Sequence, residues 1–183
     1  SLQGVSVLIS IIQLIVDTVA SVLGGVLLLR FWMQAIRVRP PAPVAQFTFT
    51  ISDWLVRPLR RLVPGVGGYD WASLIGAFLV VLLASSVLFI GGAAVDQVLL
   101  LALYRLLSWI LWGFIALLIV EAIFSWINPQ APLAPFVRAL NDPLLRPLRR
   151  VVPLLGGLDL SLLVALILLQ IAQMVLKMLF GFQ

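Results

Sequence analysis

The sequence has no cysteine and no histidine, and only 10% of its 183 residues carry a charge. Without cysteine there is no disulfide scaffold and no thiol redox centre. Without either residue there is no usual zinc or copper ligand set, no ordinary haem ligand and no catalytic triad built on imidazole. Acidic residues are also scarce, at seven against twelve lysines and arginines. What remains is apolar: 63% of the chain is hydrophobic, where ordinary globular domains reach about 45–50%. That surplus excludes disorder and calls for lipid rather than water as the surrounding medium.

A helix rises 1.5 Å per residue and needs about 20 apolar residues to cross about 30 Å of hydrocarbon. The run from Trp71 to Ile90 contains no charged residue. Three others are interrupted once each: Val5 to Leu29 by Asp17, Leu106 to Ile127 by Glu121, and Leu160 to Phe180 by Lys177. Four crossings are therefore expected. The first run lacks a basic leader and a small-residue cleavage site, so it reads as a retained helix. Two long connections, residues 37–70 and 128–158, hold Arg37, Arg39, Arg57, Arg60 and Arg61, then Arg138, Arg146, Arg149 and Arg150. The cation bias of connecting loops places both in the cytoplasm and both termini outside.

The two connections are copies of one another. Asp53 to Pro64 (DWLVRPLRRLVP) lies on Asp142 to Pro153 (DPLLRPLRRVVP) without a gap, at an offset of 89 residues. The same offset puts Gly67, Gly68 and Asp70 on Gly156, Gly157 and Asp159, and Phe47, Pro43 and Pro40 on Phe136, Pro132 and Pro129. Each copy is helix, connection, helix, which makes a parallel repeat. The expected architecture is all-α, with four membrane helices in two tandem two-helix repeats, residues 1–98 and 99–183.

These residues carry a family resemblance. The D-x-L-x-R-P-L-R-R-x-x-P element followed by G-G-x-D, flanked in both halves by apolar helices, resembles the YggT family of bacterial inner-membrane proteins and the related YlmG proteins. The second copy, with Asn141-Asp142-Pro143 and Gly156-Gly157-Leu158-Asp159-Leu160-Ser161, is nearer the pattern; the first has Trp54 for Pro143 and Ala72 for Ser161. The resemblance implies a bacterial inner-membrane location and a loose association with osmotic-stress tolerance, cell division, nucleoid distribution and, in plastids, assembly of cytochrome complexes. It implies no molecular activity.

Asp53 and Asp142 read as helix N-caps, the latter followed by a proline at the first helical position. Pro58 and Pro147 then predict a short, kinked element. If that element is helical, Leu55, Leu59 and Leu62 fall opposite Arg57, Arg60 and Arg61, and Leu144, Leu148 and Val151 opposite Arg146, Arg149 and Arg150. Such a segment lies in the interface with leucines toward the acyl chains and guanidinium groups among phosphates. Each cation near an anionic leaflet contributes about 1 kcal/mol. The plainer reading is that the arginines only set orientation and snorkel to the surface. A nucleic-acid interface would need interleaved aromatics or a binding module, and neither is seen. The Gly-Gly turn permits positive φ, and Asp70 or Asp159 caps the helix that follows. Acidic residues near it are too few for a calcium or magnesium shell.

Inside the apolar runs, Asp17 shares a stripe with Ser6, Ser10, Gln13 and Ser21, and the last run carries Gln170, Gln173 and Lys177. These stripes either hydrogen-bond to one another or line an ion or water path. Glu121 is expected to pair with Arg30. The leading functional expectation is a non-enzymatic membrane protein, an assembly or organising factor whose arginine elements engage anionic lipids or a protein partner, with no cofactor. The alternative is a small homo-oligomeric channel or transporter with Asp17 and Glu121 in its path. No nucleophile and base pair or phosphate loop points to an enzyme.

Overall fold

The computed structural model describes residues 1–87, 92–152 and 160–181. Among them the regular structure is helical: α1 (Leu2–Ala35), α2 (Ala42–Leu62), α3 (Trp71–Ser85), α4 (Val95–Ile127), α5 (Ala134–Val151) and α6 (Leu160–Phe180). Three of these, α1, α4 and α6, are long and apolar enough to cross a membrane. Their 34, 33 and 21 residues exceed the span requirement because few charges and no prolines interrupt the runs. The uncharged run expected to give a further crossing forms α3, with 15 residues, and then a 3-10 turn at residues 86–87. Its last residues lie outside those described.

Contacts divide the chain into two compact units: Ser1–Phe31 with Phe47–Leu107, and Trp32–Gln46 with Ser108–Gln183. In the first unit, α2 buries Thr48, Ser52 and Val56, spaced four apart on one stripe. Beside that stripe α2 meets α3 at Gly76, where an added Cβ would stand 3.4 Å from Leu55 and Leu59 and 3.7 Å from Leu27 of α1. A glycine there lets the helices approach closely. In the second unit, Leu145 of α5 is fully buried among Ile115 and Leu118 of α4 and Ala165 and Leu169 of α6, with Leu148 packed against the same cluster. Trp32, in the last turn of α1, donates from its indole to the carbonyl of Leu140 at 2.9 Å and meets Phe114 edge-on at 5.0 Å.

Two expectations about the repeated element are corrected. It is neither short nor begun at the aspartates: α2 starts eleven residues before Asp53 and α5 eight before Asp142, so both carboxylates sit mid-helix rather than at caps. The helices start at Ala42 and Ala134, each followed by a proline whose missing N–H is not needed in the first turn. Pro58, Pro143 and Pro147 are accommodated inside because all three lie on exposed faces, where the carbonyls they leave unpaired can be solvated. The leucines are also less available to lipid than expected. Leu55 and Leu59 face Gly76, and Leu148 faces the second unit's core, while Leu62 and Val151 remain 80% and 81% exposed.

The chain leaves α1 by a turn in which the N–H of Val38 reaches the carbonyl of Met33 at 2.9 Å and that of Arg37 reaches Gln34 at 3.2 Å. This pairing is the Schellman motif. It requires a left-handed residue, supplied by Arg37 at φ 58°. The Gly-Gly turn behaves as expected in its first copy, with Gly67 and Gly68 at φ 72° and 79°. The second copy, Gly156 and Gly157, lies outside the described residues, as does the expected cap Asp159. Around the first turn, Trp71 donates to the carbonyl of Val66 at 2.7 Å, and Phe31, Tyr69 and Trp71 cluster with ring centroids 5.7–6.4 Å apart.

Candidate functional site

In the first unit the motif residues converge on Arg30, five residues before the end of α1. Its side chain is only 6% exposed. One terminal nitrogen donates to Ser52 Oγ at 2.8 Å and to Asp53 Oδ1 at 2.7 Å, both on α2. Its Nε stands 3.7 Å from Asp70 Oδ2, an ion-pair distance too long for a hydrogen bond. The guanidinium carbon lies 4.8 Å from the centroid of the Phe49 ring, which meets it as a cation–π partner. Arg57 approaches the other oxygen of Asp53 at 3.4 Å, and Arg60 donates to Asp70 at 3.0 Å. The result is a ladder of alternating charge, Arg57, Asp53, Arg30, Asp70, Arg60, buried at its centre and exposed at both ends.

Asp70 is the N-cap of α3 as expected, accepting from the Ser73 hydroxyl at 2.6 Å and, more weakly, from the Ser73 amide at 3.4 Å. Burial pushes its carboxyl up, but the Ser73 hydrogen bonds and the Arg60 guanidinium outweigh burial and hold it below the usual carboxylate range. A carboxyl whose folded pKa is depressed stabilises the fold above its unfolded value of about 3.9, and that contribution disappears as pH falls through the folded value. Asp70→Asn is therefore expected to flatten the acid limb of a stability–pH curve below about pH 4. Thermal unfolding in detergent between pH 3 and 7 checks this, and parallel curves for the two proteins would refute it.

In the second unit the corresponding motif residues are tied differently. Asp142 pairs with Arg146 one turn on and lies 3.7 Å from Arg149. Beside it, fully buried Asn141 donates to the Leu117 carbonyl at 3.0 Å and reaches Glu121 Oε1 at 3.5 Å. Glu121 is itself buried. Arg30, for which a pairing with Glu121 was expected, serves Asp53 and Asp70 within the first unit. Arg57, Arg60, Arg61, Arg146, Arg149 and Arg150 are all exposed, so the apolar faces of α2 and α5 turn inward and the cations outward. Arg61 and Arg150 make no ion pair among the described residues.

The polar residues of the long helices also find partners that spacing did not reveal. Asp17 pairs with Arg105 of α4 at 3.0 Å, and Arg105 donates to Ser85 at 3.3 Å. Gln173 of α6 exchanges hydrogen bonds with Ser108 of α4, 3.3 Å to its hydroxyl and 3.2 Å to its carbonyl. Within its own unit each stripe uses α4, which offers a cation to Asp17 and a hydroxyl to Gln173. Gln13 is half-buried and Gln170 exposed. Ser10 and Ser21 return their hydroxyls to carbonyls one turn back. Among the described residues no cluster of three or more Asp or Glu is placed to hold a metal.

Three long apolar helices, with amphipathic helices that expose arginine and bury an uncharged face, define an α-helical membrane protein. The CCB3/YggT family model matches residues 9–91 and again 100–180, and the chain belongs to that family. Similar proteins include YggT of Escherichia coli, 34% identical over 87% of this chain and 86% of the relative. A Pseudomonas aeruginosa protein is 36% identical over 87% and 85%, and one from Haemophilus influenzae 31% identical over 85% and 86%. All three relatives are described as uncharacterized proteins. No solved structure matches the chain.

Proposed function

We propose that this protein is a non-enzymatic organiser of the bacterial inner membrane, crossing it four times as two tandem parallel repeats and presenting two arginine-bearing helices to the cytoplasm. There they engage anionic lipid headgroups or a cytoplasmic segment of a protein partner. The observation that carries this reading is the shared polarity of α2 and α5: each packs one uncharged face into the protein and leaves three arginines outside. The two stretches matched by one family model support the repeat. Osmotic-stress tolerance and cell division, implied by the family resemblance, are settings in which such a factor would act. The channel reading draws support from intramembrane Asp17, but pairing with Arg105 neutralises that charge and favours a packing role.

Native purification with identification of co-purified lipids and proteins tests the proposal. Replacing Arg57, Arg60, Arg61, Arg146, Arg149 and Arg150 by glutamine is expected to deplete anionic lipids or a partner several-fold; an unchanged complement would overturn it. Because the chain has no cysteine, Leu62→Cys and Val151→Cys give unique labels, which membrane-impermeant reagents should reach only after the cells are opened.

A further inference from the structure

Two carboxamides on α6 stand in opposite situations. Gln173 is buried and exchanges hydrogen bonds with Ser108 of α4. Gln170, less than one turn earlier, is exposed and has no hydrogen-bond partner among the described residues. It is the middle residue of a 21-residue helix that is long and apolar enough to cross a membrane. At 1.5 Å per residue it lies about 15 Å from either end, at the centre of such a span. Hydrocarbon offers nothing to a side chain with two N–H donors and a carbonyl acceptor.

The exposed residues around it form a seam. Leu163, Ile167, Gln170 and Met174 are all exposed and follow one another at spacings of four, three and four. At about 100° per residue they share one face, opposite Ser161, Ala165, Leu169 and Leu176, which α6 buries within the protein. Apolar positions alternating by three and four let two helices pack at a shallow crossing angle, and one polar residue among them fixes the register. Lys177 continues the stripe but sits in the last turn, where its stem carries the ammonium out to the headgroup layer.

The first half of the chain shows that this face of the repeat is a packing face. At the 89-residue offset Gln170 falls on Val81 and Met174 on Ser85. Both are buried in the first unit, where Arg105 of α4 donates to Ser85. The face that is covered on α3 is bare on α6.

The carboxamide decides what covers it. A purely apolar helix would leave its donors and acceptor as unsatisfied as lipid does, and a charged group would bring its own desolvation cost to the bilayer centre. A second carboxamide is the exact complement, because each one both donates and accepts. A second copy of the chain, inserted in the same orientation, presents Gln170 at the same depth. A two-fold axis along the membrane normal then sets the two side chains face to face, each N–H on the other's carbonyl.

We infer that the protein forms a homodimer through α6, with Leu163, Ile167 and Met174 packed across the seam and Gln170 bonded to the partner's Gln170. The inference goes beyond the proposed engagement of lipids and partners and does not depend on it, since α6 carries none of the six motif arginines.

Counting photobleaching steps of the full chain in phosphatidylcholine liposomes, with one dye on Leu62→Cys, tests it over a series of protein densities. Two steps per particle are expected, giving way to one on dilution. Gln170→Leu should move that transition to a protein density about tenfold higher, and Gln170→Asn, which keeps the carboxamide, should recover most of the shift. Leucine suits lipid at this position, so Gln170→Leu is expected to keep the unfolding midpoint of the parent in detergent. On oxidation with copper phenanthroline, Ile167→Cys and Met174→Cys should form disulfide-linked dimers, whereas Leu168→Cys, 50% exposed but off the seam, should not. Single steps at every density, an unmoved transition in Gln170→Leu, or cross-linking as ready at Leu168→Cys as on the seam would each overturn the inference. So would cross-linking in native membranes to a different polypeptide in place of a second copy. Replacing the six motif arginines by glutamine should leave the dimer intact, which separates its failure from that of the arginine surface.

Discussion

Arg30→Leu is expected to destabilise the protein by about 3–5 kcal/mol, the cost of breaking a buried pair and leaving its counter-charge behind. The variant strands Asp53 and Asp70 together: Asp70 is 4% exposed and Asp53 27%, and both face the site the guanidinium occupied. Arg57 and Arg60 cannot replace it, since they hold the outer ends of the ladder from exposed positions. Arg30→Lys should recover only part of the loss. A single ammonium lacks the planar fork that addresses Ser52 and Asp53 from one nitrogen and faces Asp70 with another. Adding Asp53→Asn and Asp70→Asn to Arg30→Leu should return most of it, because neutral amides remove the charge that has no partner. Thermal and denaturant unfolding in detergent measures all three variants. A loss below about 1 kcal/mol for Arg30→Leu, the range of exposed surface pairs, would show that the ladder does not behave as a buried network.

The second large effect is expected at Asp17 and Arg105. Each lies within a long apolar helix, and a lone charge in such a helix costs about 2.5–3.5 kcal/mol on insertion scales. Asp17→Leu and Arg105→Leu should each lower the yield of folded protein and its thermal stability, with a free-energy loss of about 2.5 kcal/mol. The double variant should lose less than either alone, because two leucines pack in hydrocarbon without a charge to compensate. Losses that simply add in the double-mutant cycle would mean the two side chains do not act as a pair. Ion flux into liposomes, measured on the same variants, separates this packing role from a conducting one.

The long helices were legible in the sequence because apolar runs of this length leave few alternatives to a helix in lipid. The Asp70 cap and the Gly67–Gly68 turn were legible for local reasons, since a cap and a positive φ are set within three or four residues. The extent of α2 and α5 was not. Pro58 and Pro147 read as breakers and Pro143 as a helix start, and only the fold shows that all three lie on exposed faces inside longer helices. The charge ladder was hidden by separation along the chain: Arg30 and Asp53 are 23 residues apart, and Arg60 and Asp70 ten. A signal was present nonetheless, in a cation inside the last turns of an apolar helix, followed by acids in a connection otherwise rich in arginine. The same holds for Asp17 and Arg105, which are 88 residues apart and lie on different helices.

At 1.5 Å per residue, α1 and α4 are each about 50 Å long, against about 30 Å of hydrocarbon and about 40–45 Å with the headgroup layers included. Neither rod fits upright within the oily slab, so each must lean or push its overhang into the watery margin. Thinning or thickening the surrounding lipid changes how much of each rod is mismatched, and bilayer thickness thereby becomes a mechanical variable for this protein.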